Sequence, residues 1–101
     1  MYLCVVDEEH GLSEDVLRNE VKNSVMGYLL TTYDFPSPPK VEITYVEKDG
    51  SGYYTEYTVY GVVNAKNKFG EKVTGKFTAE YRYNNYDQYF ERESLKIEEL
   101  F

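Results

Sequence analysis

Tryptophan is absent from this chain of 101 residues, and cysteine and histidine occur once each, as Cys4 and His10. A lone cysteine excludes an internal disulfide and fits a reducing compartment. Cys4 sits in the apolar run Tyr2-Leu3-Cys4-Val5-Val6, the setting of a small core residue rather than a nucleophile. His10 closes the polar tract Asp7-Glu8-Glu9-His10, where a solvated side chain is the simplest reading. Consecutive ligands in one loop make a poor metal cage. The glycine-bearing tract Lys48-Asp49-Gly50-Ser51-Gly52 lacks the Lys-Ser/Thr ending of a phosphate loop. The chain is therefore expected to be no enzyme and to use no metal or cofactor. It also has no apolar run of membrane-spanning length, and its start lacks the basic and long apolar regions of a signal peptide. A soluble, cytoplasmic protein is expected.

Basic residues are missing from one place in particular. Residues 1–17 carry five acids (Asp7, Glu8, Glu9, Glu14, Asp15) and no Lys or Arg, so most of the formal charge of -7 lies there. Direct nucleic-acid binding needs clustered Lys and Arg and is not expected. A basic protein partner is permitted.

What the chain has in plenty is tyrosine, at 12 residues beside 5 phenylalanines. Tyrosine suits half-buried strands and wet binding surfaces alike. At this length one domain is expected, without staples. No internal repeat or linker interrupts it.

The period of the apolar residues divides the chain in two. Ser13 is a helix N-cap, followed by Glu14 and Asp15 in the first turn, where the positive end of the helix favours acids. Leu12 and Leu17 have the spacing of a hydrophobic staple. Leu17, Val21, Val25, Tyr28 and Leu29 make one helical face. Gly27 weakens that helix and is expected to admit close approach of a sheet. Pro36, Pro38 and Pro39 stop the helix before Asp34.

After Pro39 the period becomes two. Val41, Ile43 and Tyr45 alternate with polar residues, and Lys48–Gly52 form a hairpin loop. Tyr53, Thr55, Tyr57, Val59, Gly61 and Val63 share one face of the next strand. Val73, Gly75, Phe77, Ala79 and Tyr81 share one face of the third. Asn84-Asn85 turn the chain into a last strand from about Tyr86 to Ile97. The expected fold is α+β: one N-terminal helix on a curved four-stranded antiparallel meander. The small residues Gly61, Gly75 and Ala79 would admit the helix backbone.

The tract Gly61-Val62-Val63-Asn64-Ala65 to Phe69-Gly70 resembles a "G-x-V-D-A-x-N-x-F-G" tract of small cystatin-like and NTF2-like-fold proteins of bacteria and their mobile elements, with Asn64 in place of the acid. The pair Phe69-Gly70 and the helix ending in Phe35-Pro36-Ser37 are similar too. The resemblance covers about half the chain and implies a fold more than an activity. The Q-x-V-x-G hairpin of the protease-inhibiting cystatins is not present, since Tyr57-Thr58-Val59-Tyr60-Gly61 lacks the Gln and falls inside a strand.

Function is then sought on surfaces. The inner sheet face carries no Asp, Glu or His. The other face carries Tyr54, Tyr60 and Arg82 among charges, and tyrosine and arginine are common interface anchors. The partner-binding residues expected are Asp7, Glu8, Glu9, Tyr54, Tyr60, Arg82, Glu91 and Glu93, with Glu98 and Glu99 as further acids. The leading expectation is a protein-binding module that occludes a partner, such as an anti-CRISPR-type inhibitor of a phage or mobile element facing a basic nucleic-acid-binding groove. The alternative is an NTF2-like domain, ligand-binding or enzymatic, with a pocket between helix and sheet. A third reading is an accessory protein of a conjugation or secretion apparatus assembled through sheet faces. A homodimer through the sheet is compatible with each.

Overall fold

The computed structural model describes residues 11–98, and the early run 2–6, Cys4, Asp7, Glu8, Glu9, His10 and Glu99 lie outside them. One helix, α1 (Glu14–Thr32), precedes four strands: β1 (Lys40–Ser51), β2 (Tyr54–Lys66), β3 (Lys72–Asn84) and β4 (Tyr89–Glu98). The strands pair antiparallel in the order β1-β2-β3-β4, an open meander.

The helix forms where its caps and stripe place it. Ser13 Oγ accepts from Val16 N, and Leu17 N donates to Ser13 O at 2.9 Å. Arg18 reaches back to Glu14 at 3.1 Å, one turn away. Tyr33 is the C-cap, and the chain then turns through prolines, of which Pro39 is buried. Leu17, Val21, Val25 and Leu29 are all buried, against Tyr57, Val59, Val63, Val73, Phe77, Ala79 and Tyr81 of the sheet. Burying such side chains contributes about 1.5–3 kcal/mol each.

Two outer-strand bulges depart from the plain alternation. Ile43 pairs with Gly61 but Tyr45 pairs with Tyr60, so Thr44 is an extra residue. The inward phase of β1 therefore shifts from Val41 and Ile43 to Val46, and Tyr45 is turned to the outer face. This corrects the expectation that Tyr45 shares a face with Val41 and Ile43. In β4 the extra residue is Glu93, between the pairs Tyr81 with Arg92 and Glu80 with Ser94. Strand β1 also runs on to Ser51, which reduces the expected five-residue loop to a turn at Gly52-Tyr53. Strand β4 starts at Tyr89, leaving Tyr86 in the turn.

The glycines divide by role. Gly11 has φ +85°, and a β-carbon there would collide with the Tyr57 hydroxyl. Gly61 is also close-packed, but by the Phe77 ring and the backbone of Glu42, not by the helix. Gly27 is exposed, with open space where a β-carbon would stand. It brings no sheet near, contrary to expectation. Opposite outcomes follow for one substitution. Gly11→Ala should lower unfolding free energy by about 1–3 kcal/mol, through a strained φ and a blocked hydroxyl. Gly27→Ala should raise it by about 0.5–1 kcal/mol. Urea unfolding of both variants beside the parent checks the pair of signs.

Candidate functional site: the open sheet face and its hairpin tips

With α1 on one side, the other side of the sheet is solvated, and the register places its residues in rows across the four strands. At the hairpin end, Asp49, Glu56, Arg82 and Glu91 form one row, followed by Glu47, Thr58, Glu80 and Ser94. Tyr45, Tyr60, Thr78 and Lys96 cross the middle. Glu42, Val62, Lys76 and Glu98 come next, then Lys40, Asn64 and Thr74, and last Lys66 beside Lys72. The charges are segregated. The hairpin half holds Glu47, Asp49, Glu56, Glu80, Glu91 and Glu93 against the single base Arg82. The far half holds Lys40, Lys66, Lys72, Lys76 and Lys96 against Glu42 and Glu98.

Arg82 is the hub of the acidic half. Its guanidinium stacks on the Tyr54 ring at 4.5 Å and meets Glu91 at 3.7 Å and Glu93 at 3.6 Å. The bulge at Glu93 keeps that carboxylate on the same face as Glu91. Tyr60 stacks on Tyr45 at 5.9 Å and donates to Glu47 Oε1 at 3.1 Å. That hydrogen bond is the main cause that raises the Tyr60 pKa. Of the residues expected to bind a partner, Tyr54, Arg82, Glu91 and Glu93 thus form one contact group, with Tyr60 further along β2.

The end of the sheet holds residues that sequence reading passed over. Both hairpin tips lie there, and Tyr53 and Tyr86 meet across them at 4.7 Å. Tyr53, Tyr86 and Tyr89 are 66%, 69% and 62% exposed, and Tyr54 is 40% exposed. Asn85 ties this end together. Its Oδ1 accepts from Gly11 N at 2.9 Å and Thr55 Oγ1 at 3.0 Å, its Nδ2 donates to Gly52 O at 3.0 Å, and its N donates to Tyr53 O at 2.8 Å. Asn84 shapes the turn by accepting from the backbone of Tyr86 and Asp87.

The inner side offers less. Between α1 and β4 lies an open hollow of about 320 Å³ lined by Glu20, Asn23, Ser24, Tyr81, Phe90 and Arg92. Arg92, unlike its neighbours in the charged run, turns inward: Nη1 donates to Ser24 Oγ at 3.2 Å and to Ser24 O at 3.3 Å, and the guanidinium lies over Tyr28. Phe90 stacks on Tyr81 at 5.0 Å. Tyr81 Oη is buried and has no hydrogen-bond partner. Another hollow, of about 370 Å³, sits at the lysine end beside Ser37, Pro38, Lys66 and Lys72. Among the described residues, no three of Asp, Glu, His or Cys converge as a metal site, and no helix is long and apolar enough to cross a membrane.

No family model, no curated protein and no solved structure matches this chain. Nothing in these comparisons identifies a cystatin-like or NTF2-like family, and the architecture of one helix on an open antiparallel sheet is what the structure shows.

Burial raises the pKa of Tyr57, partly offset by the hydrogen bond from Leu12 N, and that of Tyr81, partly offset by the Arg92 guanidinium. The unfolded chain therefore loses these protons first as pH climbs. The stability these groups provide is intact below the ordinary tyrosine value of 10.0 and is lost as pH rises through their folded values. The urea midpoint should stay level up to that pH and then fall. Tyr81→Phe removes an unpartnered hydroxyl, so it should be neutral or stabilising at pH 7 and should reduce the alkaline loss.

Proposed function

We propose that this chain is a non-enzymatic protein-binding module that works by occluding a basic surface of its partner. The observation that carries this reading is the acidic half of the outer face, which ends in the four exposed tyrosines 53, 54, 86 and 89. Carboxylates steer a basic partner, and tyrosine rings supply contact area with little side-chain entropy to lose. Arg82 stacks on Tyr54 within this surface, and a partner's guanidinium would meet Tyr53, Tyr86 or Tyr89 by the same cation–π attraction. A surface of this kind suits an inhibitor that competes with nucleic acid for a basic groove, of the anti-CRISPR type made by phages and mobile elements. The residue pattern shared with cystatin-like and NTF2-like proteins is consistent with such an origin. The tract Asp7-Glu8-Glu9, outside the described residues, adds to the acidic charge available to a basic partner.

A second reading is favoured by one observation, the enclosed Tyr81 hydroxyl beside the hollow that Arg92 borders. In an NTF2-like ligand-binding domain that hydroxyl and guanidinium would orient a small polar molecule. Against this, the helix stripe and the sheet fill the interior between them with apolar side chains.

The test uses an arginine-rich peptide as a model basic partner, with association rate and affinity measured against salt. Wild type should bind, more weakly as salt rises. The double variant Tyr53→Ala/Tyr86→Ala should lose roughly tenfold or more in affinity, on the scale of interface anchors. The triple variant Asp7→Asn/Glu8→Gln/Glu9→Gln should associate more slowly with little change in thermal unfolding. Equal binding by all three proteins, or binding blocked only by Arg92→Ala, would remove the reading.

A further inference from the structure

The outer sheet face is close to its own complement. Asp49 stands directly opposite Glu56 at the acidic end, and Lys66 directly opposite Lys72 at the basic end. Like charges in directly paired strand positions are destabilising. Among the described residues no ion pair relieves either couple. Between the two ends, β2 and β3 present Thr58, Tyr60, Val62 and Thr78, uncharged and half-buried, with Glu47, Glu80, Lys76 and Lys96 beside them in the same rows. A surface with a half-buried, tyrosine-bearing centre and opposite charges toward its two ends is suited to a two-fold contact with itself.

We infer that this face is an interface between two copies of the chain, packed sheet on sheet about a two-fold axis that runs across the strands between Tyr60 and Val62. The symmetry follows from the charges. An axis along the strands would put acid on acid. An axis across them reverses one copy end for end while keeping each strand over its own mate. Counting outward from the axis, Glu56 comes opposite Lys66, Glu47 opposite Lys40, and Lys96 opposite Glu98. Tyr60 comes over Val62. Arg82 falls opposite Lys72, but its charge is already met by Glu91 and Glu93.

The size is adequate. Strands of 13 residues and a width of four give a face of roughly 800 Å² at about 3.3 Å per residue and about 4.8 Å per strand. That is about the area one partner buries in a standard interface. Aligned sheets pack with their strands within about 30° of each other, so the row-on-row match survives the twist. The inference rests on the charge map, not on the proposed partner. The two share Tyr54, Glu56 and Arg82, so a basic partner and a second copy would compete.

Reversing charges in each half separately provides the test. Lys40→Glu/Lys66→Glu makes both ends acidic, and Glu47→Lys/Glu56→Lys makes both ends basic. Sedimentation equilibrium should find wild type as a dimer at low salt that weakens as salt rises. Each double variant alone should dimerise at least tenfold more weakly. An equimolar mixture of the two should recover the dimer, because every reversed pair then meets its opposite. Val62→Glu, beside the axis, should disrupt independently, and thermal unfolding confirms that each variant folds. A wild type that stays monomeric at millimolar concentration and low salt would overturn the inference, as would variants that dimerise like wild type or a mixture that fails to recover. Monomeric wild type that still binds the arginine-rich peptide would leave the partner reading standing.

Discussion

A single helix can cover only one face of a four-stranded sheet. Here α1 has 19 residues, about 28 Å of helix and roughly 10 Å across. It seals the middle of the inner face, where Val21, Val25, Leu29, Val59, Val63 and Ala79 are fully buried. At the β4 flank its cover thins, so Phe90, Leu95 and Ile97 are only partly buried and Arg92 reaches back to the helix at Ser24. The whole outer face is left to water or to a partner. The interior is a filled apolar core.

The hairpin end shows how the fold holds such a surface in place. The Asn85 side chain satisfies Gly11 N, Thr55 Oγ1 and Gly52 O, and in doing so joins Gly11 to both hairpins. Tyr57, whose hydroxyl accepts from Leu12 N, fixes the start of the helix to the sheet from the inner side. Between these two anchors, Gly11 has no room for a side chain and holds a φ of +85°. The tyrosines at the tips are exposed, yet the backbone beneath them is held by several hydrogen bonds. Rigid aromatic side chains on a fixed base lose little entropy on binding.

The sequence carried the helix and the core plainly. Ser13, the Leu12–Leu17 staple and the stripe Leu17, Val21, Val25 and Leu29 defined α1, because caps and a 3.6-residue period act locally. The strict alternation in β2 and β3 named the inner face, because those central strands are paired on both sides and keep one register. The edge strands were less legible. A single inserted residue at Thr44 or Glu93 changes which face the later side chains take, and nothing local announces it. That is why Tyr45 and Arg92 could not be assigned to their faces from the sequence. The Tyr53–Tyr86 contact escaped notice for another reason: it joins two different hairpins and depends on Asn85. The charge segregation of the outer face was equally hidden, since it arises only when four strands are set in register. Asp7, Glu8 and Glu9 were legible as an acidic tract and lie outside the described residues.

The edges of the sheet bear on the same question. Both β1 and β4 leave one side without a strand neighbour. Each carries a bulge and several charges, devices that discourage edge-to-edge pairing. The like-charge couples on the face, by contrast, discourage nothing that opposite charge from outside would not relieve. The central claim is that association uses the outer face and leaves the groove near Arg92 alone. The most direct measurement is a map of backbone amide chemical shifts through a dilution series at low salt. The account predicts concentration-dependent shifts centred on Thr58, Tyr60, Val62 and Thr78, with Ser24, Tyr81 and Arg92 unchanged. Shifts confined to Ser24, Tyr81 and Arg92, or a spectrum that does not change with concentration, would contradict it.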